Sequence, residues 1–167
     1  MFNVGDLIIY GNYGVFRVES IGIPDISYIN KDKNYYTLSA VHYNNTIYTP
    51  VDTDVFMRHI ITFEEAQDLI REIPFIEADI LENNNIRLLS EHYESSLQTH
   101  ECSDLIQLIK TVYAKRKIVT GQGKVLGQTD EKFNRIAEDL LHSELSIVLG
   151  IKKDEVNQYI EEALNKI

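Results

Sequence analysis

The chain has 167 residues, 44% of them hydrophobic and 25% charged, which is enough for one large domain or two small ones with a core. No run of about 18 apolar residues is present, and Asp6 interrupts the first apolar stretch, so we expect neither a membrane segment nor a signal peptide but a cytoplasmic protein. The single cysteine, Cys102, excludes an internal disulfide framework, and the net charge of −10 argues against nucleic acid as a partner unless basic residues cluster locally.

Residues 1–52 have the pattern of an all-β domain. Two short apolar runs, Val4–Ile9 and Val15–Ile21, flank a turn at Gly11–Gly14 and predict a β-hairpin. Further short strands are predicted at Ser27–Ile29, Tyr35–Tyr43 and Thr46–Val51. Four or five short strands with tight turns indicate a small barrel of the SH3 or Tudor type.

Tyrosine is frequent in this part of the chain. Seven of the ten tyrosines lie before residue 52. They could form an aromatic cage for a cationic ligand, or they could serve the core and faces of the sheet, where tyrosine has a high propensity. We favour the second reading, because a cage needs a convergence of rings that linear sequence does not show.

Residues 53–62 have a polar composition and are predicted to be a linker, and helical periodicity begins at residue 63 and continues to 167. Thr62 with Glu65 forms a capping-box pattern, and Pro74 marks the end of the first helix. Four more amphipathic helices are predicted, near 85–97, from 103 to about 119, from 129 to 149 and from 154 to 164. Together they predict a compact all-α domain.

Basic residues cluster in the middle of this helical part. Between Lys110 and Arg135 there are seven basic and two acidic residues, a local charge of +5, while the remainder of the chain carries −15. The cluster could be a surface that faces phosphates, or a solvated helix end whose cations complement the helix dipole.

The order of residues at the N-terminus resembles the opening of the CarD-type transcription regulators. Val4-Gly5-Asp6, an apolar triplet, Tyr10, a short turn and Gly14-Val15 carry this resemblance. The family usually has Tyr-Pro-x-His-Gly at the turn, and here the proline and histidine are replaced by Gly11 and Tyr13. The first domain of that family is shared with transcription-repair coupling factors and binds RNA polymerase.

The helical part is similar to the C-terminal domain of the same family, so the resemblance covers nearly the whole chain. It rests on the Tyr93-x-x-x-Leu97 step, a basic helix end, Glu131-Lys132 at the start of a long helix, and Ser143-Glu144-Leu145. The resemblance implies an α+β protein in which a small Tudor/SH3-like β-barrel precedes a helical domain. It also implies a bacterial regulator that acts on promoter open complexes.

The resemblance implies a polymerase contact through the last strand of the first domain. In the family this strand pairs edge to edge with a strand of the polymerase β subunit, and by position it corresponds to Thr46, Ile47, Tyr48 and Thr49. Strand addition takes its affinity from main-chain hydrogen bonds. Two interface positions that are often arginine in the family align with Pro24 and Tyr48, so the contact is expected to depend on backbone pairing and an aromatic side chain.

The resemblance also implies contacts with promoter DNA. Lys115 and Lys132 correspond to basic DNA-contacting positions, and Arg116 and Lys117 lie in the same basic cluster. Leu89 aligns with a tryptophan that many members wedge into the minor groove, although its place on an apolar stripe favours core packing. Because Glu91 and Glu94 stand near positions that are often basic, we expect DNA binding to be weak or to depend on polymerase.

No linear catalytic or metal-binding motif is present, and the five histidines are scattered. We therefore expect a non-enzymatic protein without a cofactor or metal, and a monomer. Two functions remain open. The chain is either a polymerase-bound regulator that touches promoter DNA and modulates open-complex stability, or a polymerase-bound adaptor whose acidic helical domain binds another protein.

Overall fold

A computed structural model describes residues 1–83 and 85–165 of the chain. These residues divide into two compact units, Met1–Ile61 and Thr62–Ile167. The first unit is built on an antiparallel sheet and the second on helices. The predicted α+β class, a small β domain followed by a helical domain, is confirmed.

The N-terminal unit contains five strands in the order β4-β3-β2-β1-β5. Their bounds are β1 Leu7–Tyr10, β2 Val15–Gly22, β3 Tyr35–Ala40, β4 Thr46–Pro50 and β5 Met57–His59. The predicted opening hairpin is present, with Ile9 opposite Val15. Gly14 has a φ of 100°, which a residue with a Cβ rarely adopts, and this explains the need for glycine in the turn.

The sheet curls strongly around a single core. Two strands separate β1 from β4, yet the Tyr10 hydroxyl donates a hydrogen bond to Thr49 Oγ1 at 3.2 Å. The buried side chains that fill the curl are Ile8, Tyr10, Phe16, Val18, Tyr36 and Leu38. Tyr35 is buried as well, and other tyrosines, including Tyr13 and Tyr28, are exposed, so tyrosine serves both core and surface.

Two features of this unit differ from the sequence prediction. The segment 53–62, predicted to be a linker, contains β5, in which Arg58 pairs with Ile9 of β1. A three-residue strand is too short to show a periodic pattern, and its position depends on the partner strand. Conversely, Ser27–Ile29 forms turns instead of a strand, because no neighbouring strand pairs with it within the described residues.

The described residues of the C-terminal unit form five α-helices. They are α1 Phe63–Glu72, α2 Ile86–Gln98, α3 Cys102–Gly121, α4 Gln128–Leu149 and α5 Val156–Asn165. Short 3₁₀ turns, Ile73–Phe75 and Lys153–Glu155, follow α1 and precede α5. None of the helices in the described part of the chain is both long and apolar enough to span a membrane.

Local capping signals account for some of the helix ends. Thr62 and Glu65 form the predicted capping box, with Thr62 Oγ1 accepting from the Glu65 amide at 3.1 Å. Gly150 ends α4 in the left-handed conformation with a φ of 68°. By contrast, α4 starts at Gln128 with Gly127 as N-cap, two residues before the predicted cap at Thr129.

Candidate interaction surfaces

The strand β4 lies at one edge of the N-terminal sheet. It pairs with β3 on one side, with Leu38 opposite Ile47 and Tyr36 opposite Thr49. The sheet order places no strand on its other side among the described residues. The edge is therefore geometrically able to accept a further strand.

Hydrogen bonds at both ends of the ladder show which peptide groups of β4 face outward. The Ala40 amide donates to the Asn45 carbonyl at 2.9 Å, and the Val51 amide donates to the Asn34 carbonyl at 3.0 Å. In an antiparallel pair the bonded residues alternate, so Ile47 and Thr49 face β3 with their peptide groups. Thr46 and Tyr48 consequently direct their N–H and C=O groups to the unpaired side.

The side chains of β4 follow the same alternation. Ile47 packs against the core and Thr49 is buried, whereas Thr46 is exposed and Tyr48 is 37% exposed. Pro50 lacks an N–H group and ends the outward-facing row of donors. The predicted edge thus presents two N–H donors, at Thr46 and Tyr48, with one aromatic side chain beside them.

Pro24, the other residue predicted to contact polymerase, lies in the loop after β2. Gly22 at the end of β2 pairs with Tyr35, and Tyr35 pairs with Pro50. Pro24 is therefore at the same end of the sheet as Pro50, separated from β4 by β3. It is half-buried, and its carbonyl accepts from the Ile26 amide at 2.9 Å.

Two of the predicted DNA-contacting cations are engaged within the helical unit. Lys115 Nζ lies 2.9 Å from Asp130 Oδ1, and Arg116 Nη2 lies 2.9 Å from Glu131 Oε1. Both pairs join α3 to the first turn of α4. The internal pairing lowers the charge that these two residues can offer to a phosphate backbone.

Asp130 is the centre of a buried polar network. The residue is 3% exposed, and its carboxylate also accepts a hydrogen bond from the Tyr93 hydroxyl at 2.6 Å. Burial, together with the hydrogen bond to Asp130, raises the pKa of Tyr93 well above its usual range. The network links α2, α3 and α4 and gives Lys115 a structural role that spacing alone does not reveal.

The remaining predicted cations are accessible. Lys117 is exposed and its Nζ lies 4.6 Å from the centre of the Tyr113 ring, and Lys132 is exposed with its Nζ 5.3 Å from that of Phe133. Lys124 and Arg135, which the prediction did not include, are exposed as well. Lys132 and Arg135 line a groove with Leu126, so the accessible part of the basic cluster lies toward the start of α4. For Lys124 and Arg135, the only signal in the sequence was their position in the same +5 stretch.

Leu89 belongs to the core of the helical unit. It is 8% exposed and buried on the same face of α2 as Tyr93 and Leu97. The position of Leu89 agrees with the core packing that its apolar stripe favours, and a buried side chain cannot insert between bases without unpacking the helix. The exposed apolar residues of α2 are Ile86 and Leu88, at 68% and 42%.

Glu91 and Glu94 keep negative charge on the surface of α2. Both are exposed, and Arg87 Nε forms an ion pair with Glu91 at 3.1 Å. An exposed pair of this kind contributes little to stability. This surface of α2 therefore disfavours contact with phosphates.

The comparison with protein families concerns the N-terminal unit. Residues 2–61 match the model of the CarD-like/TRCF RID domain. The match covers all five strands, including β5. No curated protein shows a significant match to the chain. The chain therefore carries a CarD-like/TRCF RID domain at its N-terminus and is an RNA polymerase-interacting, transcription-related protein.

Proposed function

We propose that this protein is a bacterial, cytoplasmic transcription regulator that docks on the polymerase β subunit through the outer edge of β4. It acts as a monomer, without catalysis or a cofactor. Its helical unit contacts promoter DNA without sequence specificity and modulates the stability of the open complex.

The unpaired edge of β4, in a domain of polymerase-interacting type, is the observation that supports docking. Strand addition needs a row of outward-facing N–H and C=O groups for affinity. It also needs side chains or pockets that give specificity for the partner strand. Thr46 and Tyr48 supply the peptide groups, and the exposed Tyr48 ring supplies an amphipathic contact. Because the edge lacks a charge of its own, docking should depend weakly on salt.

Docking is tested with the variant Tyr48→Pro. Its affinity for the isolated β-subunit lobe is measured by biolayer interferometry and compared with that of the natural chain. The change removes an outward donor while leaving the bonds of Ile47 and Thr49 to β3 in place. The lost hydrogen bond alone contributes about 0.5–1.5 kcal/mol, and the proline ring also blocks the approaching strand, so binding should weaken at least about tenfold.

The matched control is Tyr48→Ala, which removes the ring and keeps the N–H group. It should weaken binding less than Tyr48→Pro does. If the proline variant stays folded by circular dichroism and binds like the natural chain, the β4 edge is not the docking surface.

The DNA part of the proposal rests on the accessible cations of the helical unit. Lys117, Lys124, Lys132 and Arg135 are exposed, whereas Lys115 and Arg116 are committed to Asp130 and Glu131. Few free cations and a negative α2 surface imply weak binding by the chain alone. Attachment to polymerase would raise the local concentration of the site and offset that weakness.

The DNA contact is tested with Lys117→Glu/Lys132→Glu in an assay of open-complex lifetime on polymerase. Substituting Lys115 would confound the result, because it would break the buried network. The control Lys31→Glu/Lys152→Glu changes the net charge equally at two other exposed positions. We expect a shorter lifetime only for the first variant, with polymerase affinity unchanged; equal lifetimes for both variants would refute the DNA contact.

The adaptor function is the second candidate. The internal pairing of Lys115 and Arg116 favours it, because it removes two cations from the predicted DNA surface. Under this alternative, the Lys117→Glu/Lys132→Glu variant keeps its effect on transcription, and crosslinks from the helical unit reach protein instead of promoter DNA.

A further inference from the structure

A cavity of about 140 Å³ lies inside the helical unit, between α3, α4, α5 and the 3₁₀ turn after α1. Its walls are aliphatic: Ile73, Ile106, Ile109, Leu141 and Ile160. Of these, Ile106 and Leu141 are buried and Ile160 is half-buried. An apolar cavity of about 150 Å³ holds a molecule the size of benzene, so this one has room for a short branched hydrocarbon group.

The polar residues that line this cavity, which we call its rim, include two of opposite charge. Lys110 and Glu138 both line it, and no ion pair among the described residues includes either. Lys110 Nζ is held in place by donating to the Ile73 carbonyl at 2.7 Å, which leaves further N–H groups for another acceptor. The lining thus contains one fixed cation and one anion together with aliphatic side chains.

The other polar residues of the rim carry no charge near neutral pH. Burial lowers the pKa of His142 and outweighs the nearby charge of Glu138, which raises that pKa. Asn157 is a hydrogen-bond partner of the His142 ring. Asp139 and Lys153 also act on His142, and Lys153 forms an ion pair with Asp139. The charged residues of the lining are therefore Lys110 and Glu138.

We propose that this cavity binds a small zwitterion with an aliphatic side chain, of the class of the branched aliphatic α-amino acids. The side chain fills the chamber, the carboxylate faces Lys110 and the ammonium faces Glu138. A ligand with one charge would pair with one rim residue and be repelled by the other, and a neutral hydrocarbon would leave both unpaired. Its lining includes no residue of β4 and none of the exposed cations Lys117, Lys124, Lys132 and Arg135.

The proposal is tested on the full chain by ligand-observed saturation-transfer NMR with three probes of similar shape: L-leucine, 4-methylpentanoate and 3-methylbutylamine. For so small a ligand we expect a Kd on the order of 1 mM for leucine. Each analogue with a single charge should bind at least about tenfold more weakly than leucine, because it loses one charge-assisted contact. Absence of leucine binding, or equal binding of the three probes, overturns the proposal.

Substitution locates the bound probe. Glu138→Gln is nearly isosteric and should weaken leucine binding at least about fivefold while leaving the binding of 4-methylpentanoate unchanged or stronger. The matched control Glu161→Gln removes an exposed carboxylate on α5 that does not line the cavity, and it should bind leucine like the natural chain. If Glu138→Gln and Glu161→Gln behave alike, leucine binds elsewhere and the assignment is refuted.

Discussion

The buried carboxylate of Asp130 gives the sharpest test of how the helical unit is held together. In Asp130→Ala the Tyr93 hydroxyl and the Lys115 ammonium lose their shared acceptor, at 2.6 and 2.9 Å in the natural chain. Removing one partner of a buried ion pair lowers the free energy of unfolding by about 3–5 kcal/mol. Leaving a buried hydroxyl without its acceptor lowers it by about 1–3 kcal/mol. The Lys115 side chain is 23% exposed and can reach water, so we expect a total loss of about 3 kcal/mol.

The loss is measured by urea unfolding followed by circular dichroism at a helix-sensitive wavelength. Asp139→Ala, which breaks the exposed ion pair with Lys153, is the control and should cost less than about 1 kcal/mol. The double variant Asp130→Ala/Lys115→Met should be more stable than Asp130→Ala, because no buried charge is left without a partner. A loss below about 1 kcal/mol for Asp130→Ala, or no recovery in the double variant, would refute a network centred on this carboxylate.

Three further changes test other parts of the helical unit. Leu89 is buried, so Leu89→Ala should lower the free energy of unfolding by about 2–4 kcal/mol in urea titrations. A loss under about 0.5 kcal/mol, which is typical of surface substitutions, would contradict core packing. Because burial lowers the pKa of His142 in the folded chain, the unfolded chain binds a proton first as the pH falls below about 6.5, and stability is lost on acidification. His142→Gln should therefore show a smaller drop in urea midpoint between pH 7.5 and 5.5 than the natural chain, and an equal drop would assign the effect to other groups. Gly150→Ala should cost about 1 kcal/mol by the same titration, since the left-handed conformation at φ 68° strains a residue with a Cβ, and no loss would mean that the end of α4 adjusts.

Sequence patterns were sufficient where the interaction is local. The capping box at Thr62 and Glu65, the hairpin turn at Gly11–Gly14 and the stop at Gly150 each depend on residues within a few positions of one another. Apolar periodicity predicted the five helices for the same reason, and the strand predicted at Thr46–Val51 ends within one residue of the end of β4. Boundaries that have no local capping signal, such as the start of α4 at Gln128, were placed less well.

The amino-acid sequence by itself determined the two units, their α+β class, the polymerase-interacting type of the first one and the cluster of positive charge in the second. Only the tertiary structure decided which members of that cluster are accessible, because Asp130 and Glu131 lie 15 positions from Lys115 and Arg116 along the chain yet pair with them. It likewise placed β5 against β1 and turned the peptide groups of Tyr48 to the outer edge. Pairing across such distances depends on how whole helices and strands pack, and residue spacing within one element does not contain that information.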